Sequence, residues 1–408
     1  MNITKLSVKN MLSKPLSTSM SLILLTLGVG MISLLIQINH HIEEQMKKNV
    51  RGIDMVVGAK GSPLQLILSA VFHMDAPTGN ISMHEAEELI KHPLIKSGIP
   101  LSYGDSYQGY RIVGTDRQYP ELYGAQLQEG RLWQEAFEVS LGATVAETLD
   151  LGIGDTFAGA HGLAEGGETH EGHLYEVVGI FGYTNSVLDQ LILTATESVW
   201  DVHHHEEEAH QETEEAGHDH EEEHEQEKEI TAMLINFRNP MGMIQMPRRV
   251  NEDTQMQAAL PAFEINRLFS LMGVGIDTLN MIALVIMGVS GISVFISLYS
   301  ALKDRQYEMA LMRAYGASRG QLLFVVLQEG LLLSLLGFVL GMLFSRVGLL
   351  LVSAFMQEAY HYRFSGASLM AAEWWLLLVA MGIGLIASII PAWQASSINI
   401  SKTLSHAH

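Results

Sequence analysis

KDRQYEMALMRAYGASRGQLLFVVLQEG, residues 303–330, is the stretch on which the reading of this 408-residue chain turns. A helix over its first part sets Tyr307, Leu311 and Tyr315 on one face, because side chains four residues apart lie one above the other. Met309 and Met312 fall nearby, and Glu308 is placed to pair with Arg305 or Arg313. Gly316 then ends the helix, as glycine does after a last helical turn, and a long apolar helix begins. A short amphipathic helix between apolar runs has two readings. It is a plain connector held by headgroups, or it docks in a groove of a cytosolic partner.

Working outward, four stretches are apolar and nearly free of charge: 20–38, 273–302, 321–356 and 374–393. Each is long enough to cross a hydrocarbon core of ~30 Å at ~1.5 Å per residue. The first follows Lys5, Lys9 and Lys14 as a signal peptide would, but it runs past the usual apolar length and no small-residue cleavage site follows, so a retained span is expected. The segment 1–19 carries those lysines without an acid, and the loop 303–320 carries Lys303, Arg305, Arg313 and Arg319 against Asp304 and Glu308. Positive charge stays inside, so both face the cytoplasm. The tail 394–408, with Lys402, joins them, whereas 39–272 and the short loop 357–373 lie outside. Residues 3–14 read as an interfacial amphipathic helix feeding the first span.

The large outer segment 39–272 has 14 Lys and Arg against 39 Asp and Glu, a balance of −25 in a chain whose net charge is −21. Such a field excludes nucleic acid as a partner and favours cations or basic surfaces, or simply keeps the domain soluble. There is no cysteine, hence no disulfide and no thiolate metal site. Residues 39–50 and 262–272 are polar or mixed helical pieces that fit a pair of stalk helices. Between them, Ser82 followed by Glu85 gives a capping-box signature for a helix over 82–91, and short β-type runs recur at 111–114, 138–142, 155–159, 175–181 and 190–195 among Gly and Asp turns. The expectation is a membrane α-helical protein with four transmembrane helices plus a mixed α/β extracytoplasmic domain on a two-helix stalk.

Residues 201–229 stand apart, with seven His, twelve Glu, two Asp and no aromatic residue. So polar a segment cannot bury enough apolar surface to fold alone, and it reads as a disordered insertion. His203, His204, His205, His210, His218, His220 and His224, interleaved with carboxylates, suit zinc, nickel or copper; His161, His170 and His173 could join them. The alternative is a solvated acidic linker. Glu329 lies about 13 Å along its span, where an unpaired carboxylate is costly; it is expected against the second span or a second copy, while Arg346 is expected to snorkel outward. No GxxxxGK[ST] phosphate loop, nucleophile elbow or zincin helix occurs, so no enzymatic site of the chain's own is expected.

The order Arg305, Glu308, Ala310, Arg313, Ala314, Gly316, Ala317, continued by Gln328-Glu329-Gly330, Gly337 and Gly341, resembles the loop and third span of the MacB/LolC/FtsX permease superfamily. Pro391-Ala392 with Ala395, Lys14-Pro15, and the outer runs 112–133, 138–157 and 175–181 resemble further parts of it in the same order. The resemblance implies an inner-membrane permease working as a homodimer or related heterodimer. It further implies two copies of a separate cytosolic ABC ATPase that hold the ATP and Mg, and outer domains moved mechanically, with a periplasmic partner. The coupling helix of that family falls on 303–316, which makes Arg305, Glu308, Leu311, Arg313, Tyr315 and Gly316 the candidate ATPase-coupling residues. The His-rich insertion departs from the family pattern and leaves two rivals: a zinc or other divalent-metal permease with that loop as collector, and a non-transporting metal-responsive sensor or scaffold.

Overall fold

The computed structural model describes residues 7, 9, 15–161, 169–202, 228–360 and 369–397. In chain order the helices are α1 (Pro15–Asn49), α2 (Pro63–Ala70), α3 (Met83–Ile90), α4 (Gln118–Leu122), α5 (Ala143–Leu149), α6 (196–202), α7 (Met241–Asp253), α8 (Pro261–Asp304), α9 (Gln306–Ala314), α10 (Arg319–Tyr360) and α11 (Ala371–Ser396). The strands are β1 (Met55–Ala59), β2 (Ile81–Ser82), β3 (Ile95–Tyr107), β4 (Tyr110–Thr115), β5 (Leu127–Gly130), β6 (Glu138–Leu141), β7 (Thr156–His161), β8 (Thr169–Phe181), β9 (Leu191–Thr194), β10 (Glu229–Ile230), β11 (Ala232–Phe237) and β12 (Met256–Ala259). The chain divides into a membrane unit, 1–42 with 271–408, and an α/β unit, 43–270.

Among the described residues, α1, α8, α10 and α11 are the helices long and apolar enough to cross a bilayer. Their outward-facing residues are apolar, among them Met281, Val285, Ile292, Leu343 and Leu351, as a helix bathed in lipid requires. Trp374 and Trp375 are exposed at one end of α11 and Trp393 at the other, the placement of interfacial aromatic anchors. Within the unit α10 and α11 approach backbone to backbone, since a Cβ at Gly384 would stand 2.7 Å from Gly330 O, besides 1.8 Å from Ser334 Oγ. Only a residue without a side chain fits there.

In the α/β unit the main sheet runs β12-β1-β11-β3-β4-β9-β6-β8-β5, with β7 bridging β3 and β8. Pairing is antiparallel except for β4 with β9 and β6 with β8. β1 reads MVVGA because both its faces are covered, and a strand buried on both sides is a continuous apolar run. Val56 packs with Leu66, Ile67, Leu101, Val113 and Tyr119 on one face; Met55 and Val57 pack with Ala86, Met233, Met246 and Val250 on the other. The run 54–71, readable as strand plus either helix or second strand, takes the helix. Ser62 accepts from the Gln65 N–H, and Pro63 opens α2, where its missing N–H costs nothing. Lys60 donates to the Asn251 carbonyl (2.7 Å), which ties the turn at 58–65, GAKGSPLQ, to the end of α7.

Three details differ from expectation. α3 forms at 83–90, yet Ser82 makes no side-chain cap because its backbone is engaged in β2. The 201–229 stretch is structured at its ends: Asp201 and Val202 are helical, Val202 is buried, and Glu229 pairs with Ser82. The interior of that segment lies outside the described residues. Finally, β3, β11 and β12 join the sheet without having been expected: β3 is interrupted by Gly98, Pro100 and Gly104 and β12 has four residues, whereas β11, AMLINF, is an apolar run that the sequence did offer.

His73 adopts φ +56°, with its ring nitrogens engaged by the hydroxyls of Tyr119 (2.8 Å) and Tyr103 (2.9 Å). Enclosure of the ring, aided by the nearby Arg111 guanidinium, lowers its pKa to about 3. A base whose folded pKa is depressed stabilises the fold fully above its unfolded value, and that contribution is lost as pH falls from about 6.5 toward 3. The α/β unit should lose up to about 1.4 kcal/mol per pH unit in that window. Hydrogen exchange of β3 and β4 between pH 7 and 4.5 checks this, and His73→Gln should flatten the slope; an unchanged slope would refute the assignment.

Candidate functional site

α9 is separated from α8 by one non-helical residue, Arg305 (φ −104°, ψ 13°). Its far end is closed by a Schellman motif: Gly316 N–H donates to Arg313 O (3.1 Å) and Ala317 N–H to Met312 O (3.0 Å). Gly316 sits at φ +100° with open space around it, so glycine serves the backbone angle there and not a close contact. Two residues on, Ser318 and Gln321 form a reciprocal capping box, Gln321 N–H to Ser318 Oγ (3.2 Å) and Ser318 N–H to Gln321 Oε1 (2.8 Å), and α10 begins. The loop is thus a short helix with a defined start and stop at each side.

Its two faces differ. Met309 is buried against Leu302, Leu322, Val326, Ala392 and Ala395, with Met312 packed beside it, and Ala310 is buried as well. On the opposite face Tyr307, Leu311 and Tyr315 are 49, 38 and 85% exposed, and Glu308 is exposed as well. The arginines do not pair with Glu308. Arg305 turns inward to Glu329, 3.7 Å away, both side chains largely covered. Arg313 Nη1 donates to Ser396 O (3.3 Å) at the carboxyl end of α11, where a cation meets the negative end of the helix dipole. Both arginines therefore hold α9 against the spans, and the exposed surface is left to Glu308, Leu311 and Tyr315.

Glu329, expected to seek the second span or another copy, is matched by a residue of the adjoining loop. Arg346, expected to snorkel, instead meets Glu373: Nη1 to Oε1 at 3.0 Å and Nη2 to Oε2 at 2.8 Å. A carboxylate in reach of a guanidinium fork neutralises it without a path to the surface. Ser33, Gln37 and the Met370 N–H also donate to Glu373, a cluster that went unread because its members lie on three separate spans.

The histidines His203, His204, His205, His210, His218, His220 and His224 lie outside the described residues, and His161, His170 and His173 fall on the β7–β8 hairpin. Among the described residues no three His, Cys, Asp or Glu are grouped to hold a metal ion.

Four spans with a large α/β unit inserted between the first and second, and a short amphipathic helix between the second and third, define a membrane subunit. Residues 18–233 match the MacB-like periplasmic core domain, and 280–400 match the FtsX-like permease C-terminal domain. The chain belongs to the MacB/FtsX-type permease superfamily, the membrane components of ABC transporters, which work with a cytosolic ATPase. Among solved structures it is similar to the periplasmic region of MacB from Actinobacillus actinomycetemcomitans (12% identity, 55% of this chain and 97% of that one, TM-score 0.35). It is likewise similar to the extracellular domain of the noncanonic ABC-type transporter YknZ from Gram-positive bacteria (11% identity, 50% and 98%, TM-score 0.29). No curated protein matches the sequence.

Replacing Gly316 by Ala should cost about 1 kcal/mol through its left-handed backbone, a factor of about five in local opening. Amide exchange over 306–317 would report it, and exchange at the wild-type rate would show that the turn can rearrange.

Proposed function

We propose that this permease is a mechanical transmitter: a separate cytosolic ATPase grips α9, and its ATP-driven closure is conveyed through the spans to the 43–270 unit, which acts in the periplasm. The observation that carries this is the division of labour on α9, one face buried against α10 and α11 and the other offering Tyr307, Leu311 and Tyr315. An exposed aromatic and aliphatic stripe at i, i+4 and i+8 is what a groove-binding helix presents. In this reading Glu308, Leu311 and Tyr315 touch the ATPase, while Arg305, Arg313 and Gly316 fix the helix that carries them. The protein sits in a bacterial inner membrane with both termini cytoplasmic, as the positive charge of 1–19 and 303–320 favours, and works as a dimer with two ATPase copies. Ion conduction by the spans is disfavoured because the two buried carboxylates, Glu329 and Glu373, each already face an arginine.

A second reading adds to the first. The density of imidazoles and carboxylates in 201–229 supports weak, exchanging zinc binding by His203 to His224, which would couple the transport cycle to metal. ATP turnover of the assembled complex with and without micromolar zinc, in the full chain and in a chain lacking 203–227, separates this from an acidic linker. Only a zinc response that disappears with the segment supports the metal role.

Leu311→Asp or Tyr315→Asp should weaken ATPase association by about 2 kcal/mol, roughly thirtyfold in Kd, measured by pull-down or calorimetry in nanodiscs. Wild-type affinity in both variants would rule out this face as the docking surface.

A further inference from the structure

Gln45, Lys48 and Asn49, spaced i, i+3 and i+4, share one face of the last turns of α1, and all three grip one loop. Gln45 Nε2 donates to Asn185 O (2.8 Å), Lys48 Nζ donates to Thr184 O (2.6 Å), and Asn49 Oδ1 accepts from the Val187 N–H (3.2 Å). Asn49 is buried, and its carbonyl accepts from the Tyr123 hydroxyl (3.4 Å). The loop, residues 183–190 between β8 and β9, is shaped from within. Buried Asp189 accepts from the Thr184 N–H (2.8 Å) and hydroxyl (2.6 Å) through Oδ1, and from the Asn185 N–H (2.7 Å) through Oδ2. Asn185 sits at φ +51°, a conformation that asparagine tolerates in turns. Asp189 thus holds the N–H groups of Thr184 and Asn185, and their carbonyls meet α1.

On its other side the loop bears on the sheet. Val187 and Leu188 belong to the core cluster against which Met46 and Val50 of α1 pack. A Cβ at Gly142, the residue before α5, would stand 2.3 Å from Leu188 O, and the Gly142 N–H donates to the carbonyl of Leu191, where β9 begins (2.9 Å). Ile265 and Phe269 of α8 enter the same cluster, so both helices that run on into spans rest on it. α1 also leads through residues 50–54 into β1. In the sheet, β11, β3 and β4 lie between β1 and β9. One helix end therefore addresses two separated strands, β1 through the chain and β9 through the loop.

Resting on the transmitter reading above, we propose that Asn49, with Gln45 and Lys48, is the positioning residue through which α1 directs the β8–β9 side of the α/β unit, and that the loop 183–190 receives its movement. Removing these hydrogen bonds leaves the apolar packing of Met46 and Val50 in place but releases the loop from the rotation of the helix.

The chain contains no cysteine, so spin labels can be placed in pairs without background. In the full chain in nanodiscs, labels at the exposed positions Lys47→Cys on α1 and Glu176→Cys on β8 should give a narrow distance distribution. Asn49→Leu, which deletes the acceptor, should broaden it and should speed exchange of the Val187 amide about fivefold, as loss of one hydrogen bond implies. Gln45→Ala with Lys48→Ala, which leaves the buried Asn49 in place, should broaden the distribution too, whereas Asn49→Asp keeps the acceptor and should keep it narrow. In the complex with its co-purified ATPase, wild type should change its amide protection over 183–190 between nucleotide-free and ATP–vanadate states. Asn49→Leu and the double variant should hydrolyse ATP as wild type does yet lose most of that change, with recovery in Asn49→Asp. A narrow distribution, or a full nucleotide-dependent change, in both of those variants would overturn the assignment of Asn49 while leaving the transmitter reading intact. A loop that does not respond to nucleotide in wild type, while ATP is hydrolysed, would overturn the transmitter reading itself.

Discussion

A charged side chain inside a bilayer must find an opposite charge and enough donors or acceptors to replace water, or the helix carrying it does not stay inserted. In this chain that constraint fixes the membrane unit. Glu373 is satisfied only if α1 brings Ser33 and Gln37, and α10 brings Arg346, to the same level. Apolar packing between lipid-facing helices is permissive about rotation and depth, since lipid tails are as apolar as leucine. A carboxylate with five donors is not permissive. The glycine contact of Gly384 with Ser334 brings α11 and α10 close, but the Glu373 cluster states which residues of three helices must coincide.

The same logic explains which parts of the fold could be read from the sequence. Spans are announced by long uncharged runs, and α9 by the periodicity of Tyr307, Leu311 and Tyr315, because both signals are local. β1, β4, β6 and β9 are compact apolar runs bounded by turn residues and were legible for the same reason. β3 was not. Its 13 residues include Gly98, Pro100 and Gly104, residues that sequence rules place outside strands, and they are carried by neighbours on both sides, β11 and β4. Pro100 holds its place in the strand with its carbonyl accepting from Thr115 Oγ1 (2.8 Å).

The candidate site was half legible. The stripe that α9 exposes follows from spacing alone, and so does its stop at Gly316. What the arginines do does not. Local geometry places Glu308 one turn from Arg305 and near Arg313, and an exposed pair of that kind is worth only a few tenths of a kcal/mol, about 0.3–0.5. Glu329 and the carbonyl end of α11 offer the arginines more, because an acceptor in a poorly hydrated setting gains most from a cation. Pairings between residues 24 and 83 positions apart depend on how spans pack, which one sequence does not specify.

This exchange of partners has a functional consequence. Had Arg305 and Arg313 paired with Glu308, the polar surface of α9 would be internally neutralised and the helix would rest on the spans through Met309 and Ala310 alone. With both arginines committed inward, α9 is bound to α10 through one and to α11 through the other, and its exposed surface keeps an acidic residue beside two aromatic rings. A partner that binds that surface acts on a helix already fastened to two spans. One of those spans, α10, is joined to α11 and α1 at its other end through Glu373, which accepts from five donors. α1 is a single helix to Asn49, and its residues from Glu43 onward belong to the α/β unit.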